Sequence, residues 1–347
     1  MAGRASLAFL GQEDLALSAD PEVTYFVEKY KKNSRYATRV DKVQFENGSI
    51  NFGQENILYI PKSGDLLTAM YLKVQFPSQT VLGSQVLDSV GTLLIDYIEI
   101  YIGDLLIERI YGEWLEMKFD LEVPTGKQAS LQGLIGKSPL ATKTTYTSPA
   151  GSYTIPLPFS CFDPGLPLCA IKDPIFFRIS FAPSVFFTYP PVTYTAPVTA
   201  FLHAEYTYLS DPEVQFIKSK PQLYPIEQVQ RQVFFAPIGT SNVQCLLQFV
   251  NPVKELFFVI QNNTAQGYDF SNTASTTVGL TFGTGDQLAQ LNLFFNTTER
   301  ISTDVGTPLF LSTIQALEYH TRNPDRIFYS YSFSIDPEGP YPTGAVN

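Results

Sequence analysis

Charge is scarce in this chain: Asp, Glu, Lys and Arg make up 16% of its 347 residues, while hydrophobic residues make up 44%. Ordinary soluble domains carry roughly 25% charged residues, so much of this surface is neutral and suited to being covered by another. Basic residues are the scarcer sign, 23 against 33 acidic, for a net charge of −10. Affinity for nucleic acid comes largely from Lys and Arg neutralising phosphates, so no direct nucleic-acid binding is expected. The only short basic group, Lys29, Lys31, Lys32 and Arg35, reads as the solvated face of a short helix. Three cysteines, Cys161, Cys169 and Cys245, are too few for a disulfide framework and fit synthesis in a reducing compartment. The first ten residues lack the apolar core of a secretory signal. The most apolar stretches, 92–102 and 175–187, are broken or flanked by charged residues and Pro183 well before the ~20 residues of a membrane helix. No transmembrane segment is expected.

Reactive chemistry is equally sparse. Only two histidines occur, His203 and His320, which restricts acid–base and nucleophilic mechanisms. His203 alternates with Phe201, Glu205 and Thr207 on one strand face and reads as an ordinary strand histidine. There is no CxxC, HExxH, DxDxDG or GxSxG. The cluster Gly279, Gly283, Gly285 is followed by no Lys-Ser/Thr pair and reads as a turn. No catalytic, cofactor-binding or metal site is therefore expected, and the chain is not read as an enzyme. Asn47, Asn262 and Asn296 head Asn-x-Ser/Thr triplets and are the candidate glycosylation positions, a weak motif that also needs a secretory route.

What is abundant is aromatic: 27 Phe and 20 Tyr against one Trp, a bias that suits pleated surfaces and protein interfaces. Val23, Phe26, Val27 and Tyr30 fall at helical spacing behind Asp20 and Pro21, which predicts one short N-terminal helix. From Val43 the period becomes two. Val43 and Phe45, Asn47-Gly48, then Ile50 and Phe52 predict a hairpin. Met70, Leu72, Val74 and Phe76, and Ile98, Ile100 and Ile102, predict half-buried strands. Further strands are expected at 153–159, 174–181, 201–209, 230–236, 244–249, 256–261, 276–282, 290–295 and 327–335, with little helix between them. Many short strands without βαβ rhythm point to sandwiches or barrels. The segment 209–230, with Pro212, Pro221 and Pro225, breaks the alternation and marks a domain junction.

The order of several segments resembles the major capsid protein family of the nucleocytoplasmic large DNA viruses. GQEDLALSADPEVTYFVEKYKKNSRYA (11–37) is similar to that family's opening, and Gly64, Asp65 and Leu66 in IPKSGDLLTAMYLKVQFP match a second block. Gly103, Tyr111 and Trp114 fit a third, and Pro164, Gly165, Pro167 and Leu168 a fourth, with a shorter turn. Tyr224, Ile226, Glu227 and Gln228 fit the inter-domain connector, while NPVKELFFVIQN and YSYSFSIDPEGPYPTGAVN resemble later strands. The resemblance implies an all-β double jelly roll: two consecutive eight-stranded-type sandwiches after a short N-terminal helix. It divides the chain into an arm (1–40), a first roll (41–210), a connector (211–229) and a second roll (230–347) expected to lack its final strands. It implies a structural virion protein, a major capsid subunit made in the host cytoplasm. Such subunits form homotrimeric pseudo-hexagonal capsomers of an icosahedral shell, beside neighbouring capsomers and minor capsid proteins, with no cofactor. The alternatives are a minor double-jelly-roll paralogue and a carbohydrate-binding or host-attachment module.

Overall fold

The structure, a computed structural model, describes residues 11–12, 33–46, 50–76, 85–137, 151–189, 198–237, 239–261, 267–271 and 285–346. The chain divides into two compact units, Met1–Tyr36 and Ala37–Asn347. Almost all of the first, including the expected N-terminal helix, lies outside the described residues.

Among the described residues ten strands precede residue 210: β1 (Ala37–Gln44), β2 (Glu55–Ile60), β3 (Leu66–Gln75), β4 (Gln85–Val86), β5 (Ile95–Ile102), β6 (Leu105–Tyr111), β7 (Ser152–Pro156), β8 (Ile175–Phe181), β9 (Thr188–Tyr189) and β10 (Thr199–Tyr208). Eight of them form two antiparallel four-stranded sheets, ordered β1-β10-β3-β7 and β2-β8-β5-β6. Side chains alternate between the faces of a strand, and the two inner faces supply the core. Met70, Leu72, Val74, Ile155, Leu202 and Ala204 come from the first sheet; Leu58, Ile98, Ile100, Phe177 and Ile179 come from the second. Phe52, Phe76, Phe181 and Phe187 close one end with edge and stacked contacts of 4.9–6.2 Å. Burying each such side chain contributes about 1.5–3 kcal/mol.

The expected hairpin about Asn47-Gly48 is not formed by the described residues. Val43 pairs with Leu202 in β10, and Ile50 bridges to Val198 just before β10, so both flanks run along one neighbour. Pairing along the one edge of β10 that β3 leaves open outcompetes the local turn.

The second correction is helical. Helix α1 (Gly112–Glu122) follows β6 directly, and α2 (Thr125–Ile135) follows it, in a stretch where little helix was expected. Gly112 permits the entry, since a Cβ there would lie 2.3 Å from the carbonyl oxygens of Thr92 and Ile95. Helix α3 (Asp211–Ser219) begins at Ser210, whose N–H and hydroxyl donate to Glu213.

In the C-terminal half, β11 (Glu255–Phe258) pairs with β14 (Tyr329–Ser332), and β12 (Leu293–Phe295) pairs with β13 (Thr298–Ile301). Among the described residues these two-stranded ladders are its only named strands. Segments 230–236 and 244–249 run without strand ladders. Instead the Gln230 and Gln232 side-chain amides bond the backbones of Val250 and Gln248, taking partners a neighbouring strand would use. The expected strand at 276–282 lies outside the described residues. Short α4 (Gln315–Tyr319) continues a π-helical turn at Phe310–Ile314.

Candidate assembly surfaces and the seam between the halves

Helix α1 is buried on nearly every side, and each side meets something different. Leu115 and Phe119 enter the sandwich core. Met117 and Leu121 join Ala316 and Phe328 of the C-terminal half, with Trp114, Phe257 and Val259 packed around them. Between these apolar faces, Glu116 and Asp120, one helical turn apart, point into a buried charge cluster.

That cluster joins residues far apart in sequence. Arg326 donates to Asp88, to Ser89 Oγ at 3.0 Å and to Glu116 Oε1 at 3.2 Å. Lys137, placed by the left-handed Gly136 that ends α2, pairs with Asp120 and lies 3.0 Å from Glu116. Arg322 bonds the Asp120 backbone carbonyl at 2.9 Å and its carboxylate at 3.2 Å, and the Asp325 and Arg326 N–H groups donate to the same carboxylate. Burial opposes ionisation of Glu116, but Lys137 and Arg326 outweigh it and hold the carboxyl well below its usual range. At Asp120 burial prevails, with repulsion from Glu116 adding to it, and the pKa rises. Buried charge is tolerated only when paired and hydrogen-bonded, so this cluster fixes one relative placement of the two halves.

Two further contacts fasten the C-terminal half. His320 Nε2 lies 2.7 Å from Glu255 and Nδ1 3.2 Å from Glu338. Burial pulls the imidazole pKa down, yet the bonds to Glu255 and Glu338 win and raise it to about 9. The connector docks through Tyr224 Oη to the Gly165 carbonyl (2.8 Å), Glu227 N–H to Ser160 Oγ (3.0 Å) and Gln228 to the Ile107 carbonyl (3.4 Å). Ser160 in turn donates its N–H and hydroxyl to Glu108. Glu108 faces inward on β6, and burial pushes its pKa up to about 7 despite the Ser160 bonds.

None of this forms a reactive cleft. Among the described residues no group of three or more His, Cys, Asp or Glu side chains is arranged for a metal ion, and no helix is long and apolar enough to cross a membrane. His203 is half-buried against Phe201, and burial with Lys73 and Lys42 lowers its pKa. Of the candidate glycosylation positions, Asn296 sits exposed at φ +53° in the turn between β12 and β13, while Asn47 and Asn262 lie outside the described residues. Sequence reading missed the seam residues Asp88, Glu116, Asp120, Lys137, Arg322 and Arg326. The one local signal was a pair of acids at i, i+4 among Trp114, Leu115, Met117, Phe119 and Leu121.

A family model described as "Major capsid protein N-terminus" matches residues 24–209, and one described as "Large eukaryotic DNA virus major capsid protein" matches residues 213–347. The major capsid protein of Pyramimonas orientalis virus is 25% identical over 99% of this chain and 88% of its own length. That of Phaeocystis pouchetii virus is 24% identical over 79% of this chain but only 61% of its own length. Among solved structures, the PBCV-1 VP54 chain fitted into a reconstruction of the virophage Sputnik superposes with a TM-score of 0.77 at 21% identity, covering 93% of this chain and 84% of that one. The Faustovirus major capsid protein gives 0.70 at 12% identity, covering 100% and 90%. At such identities the structures speak for the fold alone, the double jelly roll. The two family models between them run through both halves in order, and the chain belongs to the major capsid protein family of large eukaryotic DNA viruses, structural proteins of the viral capsid.

Proposed function

We propose that this chain is a shell-building subunit that assembles three at a time into pseudo-hexagonal capsomers of an icosahedral capsid, and that it has no enzymatic role. Its divisions are an arm (1–40), a first roll (41–210), a connector (211–229) and a second roll (230–347). The observation that carries the reading is the pairing of both family segments on one chain with a buried seam that fixes their relative placement. A shell tile needs that rigidity. Two sandwiches locked at one angle present six similar bodies when three chains close a ring, and closed rotational symmetry requires only one repeated contact. Low charge and abundant Tyr and Phe suit large subunit interfaces. Neighbouring capsomers and minor capsid proteins are the partners this role calls for, without direct contact to nucleic acid, and Asn296 is the described position open to glycosylation.

Negative-stain electron microscopy of the purified chain tests the reading. Particles with threefold averages and a six-lobed outline are expected. A field of single two-lobed molecules would reject it.

A further inference from the structure

The outer face of the β2-β8-β5-β6 sheet carries three cross-strand rows: Glu55, Ser180, Tyr97, Tyr111; Ile57, Arg178, Glu99, Arg109; and Tyr59, Phe176, Tyr101, Leu106. In the third row Tyr59 lies 5.6 Å from Phe176, and Phe176 stacks on Tyr101 at 4.8 Å with the rings 4° apart. In the second, Glu99 is fully buried although it points away from the core. Arg109 Nε donates to it at 2.6 Å, Tyr101 Oη at 3.1 Å, and Arg178 lies 3.6 Å away. Arg178 and Arg109 also lie over the Tyr101 and Tyr97 rings, at 4.9 and 5.1 Å. The charges of this face are thus already paired with one another, so covering them adds little desolvation cost. The outer face of the opposite sheet carries Lys42, Lys73, His203 and Glu205 around Phe201 instead.

One margin of the face is already an interface. Arg231 from beyond the connector lies 5.5 Å over Tyr111 and pairs with Glu113 at 3.4 Å, while Gln228 bonds Ile107 on β6. The chain's own C-terminal half therefore covers the β6 side with an Arg-over-Tyr contact of the kind repeated at Tyr97 and Tyr101. Tyr59, on the far strand β2, is left 48% exposed. Arg178 Nε is buried in the face without a hydrogen bond and lies 3.8 Å from Glu55 Oε2, so this guanidinium too is held by the face's own carboxylates.

We propose that the part of this face centred on Tyr59, Phe176 and Tyr101 receives a second copy of the chain, which rests on the capsomer reading above. Tyr, Phe and Arg are the side chains that dominate interface energetics. Four strands ~4.8 Å apart and three rows ~7 Å apart make roughly 300 Å², enough for the centre of a contact that needs about 800 Å² per partner.

Sedimentation velocity on the full chain, Tyr59→Glu and Val40→Glu tests this. Val40 is exposed on β1, in the other sheet, and serves as the control. A trimeric wild type and Val40→Glu, with Tyr59→Glu dissociating at about tenfold or more higher concentration and melting like wild type, is expected. Trimers in all three proteins would overturn the assignment of this face while leaving the capsomer reading intact. A monomeric wild type would overturn both. Unchanged trimers together with glycan-array binding abolished in Tyr59→Glu would overturn it in favour of a carbohydrate site.

Discussion

Replacing Arg326 by alanine should unlock the seam. Its guanidinium is buried and serves Asp88, Ser89 and Glu116 at once. Removing it takes from Asp88, which is 3% exposed, the guanidinium that faces it, and leaves Glu116 with Lys137. Breaking a buried pair from one side costs about 3–5 kcal/mol, because the remaining charge is left in low dielectric. Each kcal/mol lowers the melting temperature of a domain this size by about 2–4 °C, so a fall of about 6–20 °C is expected. Arg326→Lys should recover little, since one ammonium cannot reproduce the fork that spans Asp88 and Glu116. Thermal and urea unfolding of both variants supply the assay, with the double variant Arg326→Ala/Glu116→Gln testing coupling. A loss below about 1 kcal/mol for Arg326→Ala would show that the cluster is not desolvated as described.

Other outcomes follow from the same contacts. His320 is raised to about 9, above its unfolded value, so its stabilisation is complete below about pH 6.5 and disappears as pH rises through about 9; melting curves of wild type and His320→Gln should converge by pH 10. Glu108 is a carboxyl raised to about 7, so the folded state binds its proton more tightly and stability falls as pH climbs from the usual carboxylate range to 7. Glu108→Gln should therefore gain on wild type at pH 8 relative to pH 5, and a gain at pH 5 instead would reverse the sign. Phe328→Ala empties a fully buried site beside Trp114 and should cost about 3–5 kcal/mol. Because Trp114 is the only tryptophan, its emission should shift with that change and report opening of the seam directly.

The first sandwich was readable because its strands obey a period of two: Met70, Leu72 and Val74 point inward as the alternation requires, as do Ile98 and Ile100. The seam was not readable for the converse reason. Glu116 and Asp120 look like a solvated helix face until Lys137, Arg322 and Arg326 arrive, two of them some 200 residues later. A charge pattern alone marks exposure; only the fold shows which charges are compensated. Glu99 misleads in the same way, buried on what period two marks as the wet face because Arg109, Arg178 and Tyr101 close over it. The Asn47-Gly48 turn signal was a fair local reading that β10 overrode by pairing with both flanks. At 230–236 the alternation was read as a strand, but its glutamines satisfy the neighbouring backbone through side chains instead.

The central claim is that this chain is a unit of a threefold capsomer, and its solution mass tests that most directly. Light scattering behind size exclusion, at two protein concentrations in moderate salt, should give three times the 38.7 kDa chain mass at both. A 38.7 kDa monomer that persists at the higher concentration would contradict it.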